Sequence, residues 1–179
     1  KTALFFVGLD GPVQIEYAPK PALILAGRGA IFRATAQLAA HMDFELHLAS
    51  PDLEDLANLK VLNPTTQKSM TTPTAAIDLP IDAYSAVLLV FHDHEWEQAV
   101  LMRAAQQYPF FIGALGSRRT HAMRIERLKH AGLSEAKCAQ VHGPIGLVPS
   151  LRNASLIAVS ALAEITAKLP PSQIPLSSS

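Results

Sequence analysis

Pro109-Phe110-Phe111-Ile112-Gly113-Ala114-Leu115-Gly116-Ser117-Arg118-Arg119 passes from bulky apolar residues through two glycines to a serine and a pair of arginines. Phe110, Phe111 and Ile112 suit a buried strand. Gly113 and Gly116 allow a tight turn or a close backbone approach, and Ser117 can cap a helix over residues 118–130. The segment therefore reads as a corner where a strand enters a helix. A helix start exposes unpaired N–H groups and a partial positive charge, so Arg118 and Arg119 beside it make a seat for an anion, most naturally a phosphate. The plainer alternative leaves both arginines solvated. Arginine in a first turn opposes the helix dipole, which favours the ligand reading.

Upstream of this corner, residues 86–91 form a second buried strand, followed by His92-Asp93-His94-Glu95 and a helix with Trp96, Val100 and Ala104 on one face. Ligands of open parallel sheets bind at strand tips, which puts His92 and His94 in the right region. Their alternation suggests a metal, but no third ligand accompanies them, so no metal is assigned. Asp93 as a helix cap, with the histidines hydrogen-bonded nearby, is the competing structural reading.

Nearer the start, residues 22–26 are a short apolar strand, Gly27-Arg28-Gly29 follows at once, and Ile31, Ala34, Leu38 and Met42 recur at helical spacing over residues 30–41. Residues 44–49 are the next strand. The order strand, glycine loop, helix, strand begins a dinucleotide-binding unit, in which a pyrophosphate sits on the helix start. Two departures weaken the ligand without touching the fold. Phe32 holds the third glycine position, and the carboxylate expected at the second strand tip gives way to Ala49-Ser50, with Asp52 displaced beyond Pro51. The fold expected is α/β, a three-layer Rossmann-like doubly wound parallel sheet with an N-terminal β-hairpin.

The remaining segments fit around that sheet. Residues 3–7 and 13–17 flank a glycine-rich turn and read as the hairpin. Residues 51–80, rich in Thr, Pro and Asp, read as a peripheral loop with a helical turn near 53–59 and a short extended piece near 60–62. Gly132 stops the basic helix, Ser134 starts a short helix containing Cys138, and residues 141–147 are extended. Asn153 caps a last helix whose expected buried stripe is Leu156, Val159, Leu162 (or Ala163) and Ile165. The expected organisation is a hairpin extension over 1–20, a Rossmann-like unit over 21–169 and a disordered tail over 170–179.

Composition narrows the function classes. The chain has 179 residues, 49% hydrophobic and 17% charged, enough for one well-cored domain. No apolar run reaches the length of a membrane span, so no membrane partner is expected. A formal net charge of zero argues against nucleic acid. One cysteine, Cys138, excludes a disulfide framework and fits a reducing cytoplasm, the expected location. Lys1 is not an initiator methionine, so residues are expected upstream.

Residues 111–119, His142-Gly143-Pro144-Ile145-Gly146-Leu147 and His92-Asp93-His94 together resemble the Rossmann domain of the XdhC/CoxI family, the xanthine dehydrogenase accessory factors. The similarity runs from about Pro21 to Lys168. It implies a maturation role for a molybdenum hydroxylase: binding the molybdenum cofactor (molybdopterin), assisting its sulfuration and delivering it. The partners implied are a hydroxylase subunit and a sulfur-transfer protein, with a homodimer left open. The cofactor-binding set that follows is Gly27, Gly29, His92, Asp93, His94, Gly113, Gly116, Ser117, Arg118 and Arg119, with no catalytic residue. The chain departs from the family pattern at Ala30, Phe32, Ser50 and Val148-Pro149-Ser150, and the amino-terminal domain of many members finds no counterpart here. An NAD(P)-dependent oxidoreductase and a degenerate protein-interaction scaffold are the alternatives. For the oxidoreductase, no acid–base constellation is evident.

Overall fold

The computed structural model describes residues 3–5, 13–15, 19–74, 78–92 and 94–170. β1 (Ala3–Phe5) and β2 (Val13–Ile15) pair antiparallel as a separate two-stranded sheet, while the expected turn between them lies outside the described residues. The expected tail beyond residue 170 lies outside them as well.

The main sheet has six parallel strands: β3 (Ala22–Gly27), β4 (Glu45–Ser50), β5 (Thr66–Ser69), β6 (Ser85–Val90), β7 (Phe111–Ala114) and β8 (Val141–His142). Their order is β5-β4-β3-β6-β7-β8, so the chain starts in the middle, winds to one edge and returns to build the other. This is the doubly wound Rossmann order, and its switch point lies between β3 and β6. The central strands are buried along their whole length, which explains their continuous apolar runs.

Alternate residues feed two cores. Ile24, Ala26, Val87, Leu89, Ile112 and Ala114 face the helices α3 (Glu97–Gln107), α4 (Arg118–His130) and α5 (Glu135–Cys138). Leu23, Leu25, Leu48, Leu88 and Phe111 face α1 (Gly29–Ala39), α2 (Leu53–Leu59) and α6 (Ala154–Thr166). Phe32 is fully buried in this second core, filling the space between α1 and the sheet.

Two expectations need correction, and a third, the Asp93 cap, falls on a residue outside the described ones. Residues 60–62 form a 3-10 turn, and the extended piece is instead β5, pairing with β4 at the sheet edge. Its sequence, Thr-Gln-Lys-Ser, has no apolar alternation because an edge strand buries little, and Gln67 Nε2 donates to the Leu56 carbonyl to hold it against α2. The cap position of α3 is Trp96, which makes no side-chain cap bond, and Asp93 lies outside the described residues. On α6 the buried side is Ala158, Ser160, Ala161, Leu162 and Ile165, while Leu156 and Val159 are 54% and 51% exposed. The small residues face α1, which approaches closely through its own Ala36 and Ala39.

Candidate functional site

The carboxyl rim of the sheet collects the loops after β3, β6, β7 and β8. At the β7 tip, Gly116 adopts φ +146° and turns the chain into α4. A Cβ there would sit 2.8 Å from the Thr120 methyl, so the position suits glycine in both conformation and space. Ser117 caps α4 as its sequence requires: its Oγ accepts from the Thr120 amide at 3.1 Å. That satisfies one of the four donors a helix start leaves unpaired.

A crevice of about 380 Å³ opens beside this turn. Leu115, Gly116, Ser117 and Arg118 form one wall, Pro144, Ile145 and residues 148–151 the other, and Ile157 and Ser160 of α6 the floor. The second wall is held in place by α6. Glu164 Oε2 accepts from the Gly146 amide at 2.5 Å, and Ser160 Oγ from the Val148 amide at 2.8 Å. Gly146 has φ +109°, and a Cβ would meet Ser160 Oγ at 2.8 Å. A cationic head, polar main chain at a helix start and an apolar opposite wall suit an amphipathic anion.

The expected site residues do not all converge on this crevice. Gly116, Ser117 and Arg118 line it, while Arg119 is exposed on the same turn without being part of the lining. Gly113 is buried inside β7, where a Cβ would strike Phe111 and the Ile145 methyl, so this glycine serves packing. His92 is exposed at the β6 tip. His94 turns to the α3–α4 side, its Nδ1 3.4 Å from Glu97 Oε2. Gly27 ends β3, where a Cβ would overlap the Val90 side chain at 2.4 Å. Gly29 takes φ +79° at the start of α1, and its amide donates to Asp55 Oδ2 at 2.6 Å.

Several residues at the rim escaped the sequence reading. Glu97 and Arg124, each about 97% or more buried, form a two-pronged ion pair under the β7 tip, and Arg124 Nη2 also donates to the Leu115 carbonyl at 2.6 Å. His121 packs its ring on Gly143, and His142 stacks on Phe111 with ring centroids 5.0 Å apart. Burial holds the His121 pKa below the ordinary value, the positive charges of Arg124 and His142 push the same way, and Glu97 opposes them. The signal for the buried charges was available: Glu97, Arg124 and Asp55 each occupy the apolar stripe of their helix, alongside Leu101, Leu128 and Leu59 respectively.

The family model of the XdhC Rossmann domain matches residues 23–165. The molybdenum cofactor insertion chaperone PaoD of Escherichia coli K12 is 33% identical over 152 residues, covering 85% of this chain and 41% of that protein. The uncharacterized protein YqeB of the same organism is 31% identical over 150 residues, covering 82% of this chain and 27% of that one. The chain thus spans less than half the length of either curated relative. A solved Bacillus halodurans structure described as a xanthine dehydrogenase superposes with a TM-score of 0.68 at 21% identity, over 90% of this chain and 47% of that one, and shares the fold.

Proposed function

The chain belongs to the XdhC Rossmann-domain family, and on that ground we propose that it serves the maturation of a molybdenum hydroxylase of the xanthine dehydrogenase type, holding the phosphorylated pterin–molybdenum cofactor and delivering it. The name of its relative PaoD, a molybdenum cofactor insertion chaperone, supports this reading. The carrying observation is the crevice shared by the Gly116-Ser117-Arg118 turn and the 144–151 wall. In the proposal the α4 start and Arg118 hold the phosphate, Arg119 adds charge on the same turn, and the pterin lies against Pro144, Ile145 and Val148. His92 stands at the neighbouring strand tip.

Residues 21–169 act as the cofactor-handling unit, with a hydroxylase subunit as recipient and a sulfur-transfer protein as the donor of sulfur. None of these residues is given a catalytic role. Phosphate-directed hydrogen bonds make a firm and reversible grip without chemistry.

The test is equilibrium binding of released cofactor, quantified by pterin fluorescence. The paired change Arg118→Ala/Arg119→Ala is expected to weaken binding at least about tenfold while circular dichroism stays unchanged. Equal affinity in a folded variant overturns the assignment.

A further inference from the structure

The dinucleotide seat of this Rossmann sheet is filled from within. In a nucleotide-binding sheet the start of the first helix presents its amides to a pyrophosphate. Here the corresponding amide, Gly29 N–H, donates to Asp55 Oδ2 at 2.6 Å. The other oxygen of the same carboxylate pairs with Arg33 Nη1 at 2.5 Å, one turn further along α1. Asp55 is only 2% exposed.

Its position is fixed from its own side as well. Asp55 sits in the first turn of α2, where Asp52 Oδ1 accepts from the amides of Glu54 and Asp55 at 2.9 and 3.1 Å. The carboxylate therefore meets the positive ends of two helices and one guanidinium. We infer that Asp55 is the resident anion of the β3–α1 corner, excluding dinucleotides from it and confining anionic ligands to the Arg118 side of the rim.

The surrounding residues agree with an occupant supplied by the protein. Gly29 has φ +79°, a backbone conformation that glycine adopts without strain, so its conformation alone accounts for the residue. Phe32 occupies the position where a third glycine would let helix and strand meet around a nucleotide, and it is fully buried. A phosphate arriving at Gly29 would have to evict a buried, doubly paired carboxylate and then lie beside it, and like charges at one donor repel. Gly27 and Gly29 then shape the corner without touching a ligand.

The experiment is a two-arm titration of the 15N-labelled chain, following the Gly29 amide resonance with NADH and with inorganic pyrophosphate. In the native sequence the resonance is expected to stay in place through millimolar additions of either. A saturable shift with NADH or pyrophosphate overturns the inference, and this arm needs no variant. In Asp55→Ala the amide and Arg33 lose their partner, and pyrophosphate is expected to shift Gly29 with affinity at least about tenfold above the native chain. A folded Asp55→Ala variant indifferent to pyrophosphate also overturns it. Because the probe is Gly29 and not the Ser117–Arg118 turn, the result is independent of whether molybdenum cofactor binds there.

Discussion

Arg124 closes on Glu97 with two parallel hydrogen bonds, Nε to Oε2 at 2.9 Å and Nη2 to Oε1 at 3.0 Å, inside the layer between α3 and α4. A pair this far from water recovers its desolvation cost only when geometry is good and the spare donors are used. Both conditions hold, since Nη2 also donates to the Leu115 carbonyl. The pair thereby ties two helices to the strand tip that leads into Gly116 and Ser117.

Removing one partner strands the other. Arg124→Met is expected to cost about 3–5 kcal/mol in urea unfolding, because Glu97 is left charged and buried. The double change Glu97→Leu/Arg124→Met is expected to recover most of that loss. A double variant as unstable as the single one would mean that the pair's value lies in the Leu115 contact instead.

The Gly143–His121 contact gives a reciprocal pair. A Cβ at residue 143 would fall 2.3 Å from His121 Nδ1, so Gly143→Ala is expected to destabilise by about 1–3 kcal/mol through overpacking. His121→Ala opens the space, and the cycle of both changes should show coupling of at least about 0.5 kcal/mol. Additive losses would place the strain elsewhere.

Two histidines set an acid limit. Burial lowers the pKa of His47, against the pull of Glu45 and Asp82, and burial together with Arg124 and His142 lowers that of His121. Each regains the ordinary 6.5 on unfolding, so the unfolded chain binds more protons as pH falls through and below that value. Stability present above it is therefore lost on acidification. His121→Gln should flatten the decline in melting temperature between about pH 7 and pH 5; an unchanged slope would remove His121 as a contributor.

The two arginines of the α4 start should separate. Arg118 lines the crevice and Arg119 does not, so Arg118→Ala alone is expected to account for most of the affinity lost in the paired variant. Arg119→Ala should act mainly on the association rate and its salt dependence, as a solvated steering charge does. Stopped-flow mixing at two ionic strengths distinguishes them, and equal effects on dissociation would contradict the geometry.

Much of the sheet was legible because its central strands are buried on both faces and so read as unbroken apolar runs between breakers, as at residues 22–27 and 85–90. Ser117 and Asn153 were legible as caps because their chemistry is local. β5 was not, since an edge strand of polar residues carries no periodic mark. The face of α6 was misjudged for a different reason. Helix-to-helix contact with α1 favours alanine over larger residues, so hydrophobicity pointed to Leu156 and Val159, which remain exposed. At the rim, local sequence signalled the Gly116–Arg118 turn. Asp55 reaches Gly29 across 26 positions, a relationship that no local pattern expresses.

The Glu164 and Ser160 bonds to residues 146 and 148 mean that the crevice's far wall is set before any guest arrives. A preformed wall spares the ordering entropy a floppy loop would lose on capture. On the proposed reading, release would then not wait for a gate to swing. For a carrier, the lifetime of the loaded state would then be governed by how quickly the guest itself lets go, and transfer by how often a recipient is at hand when it does.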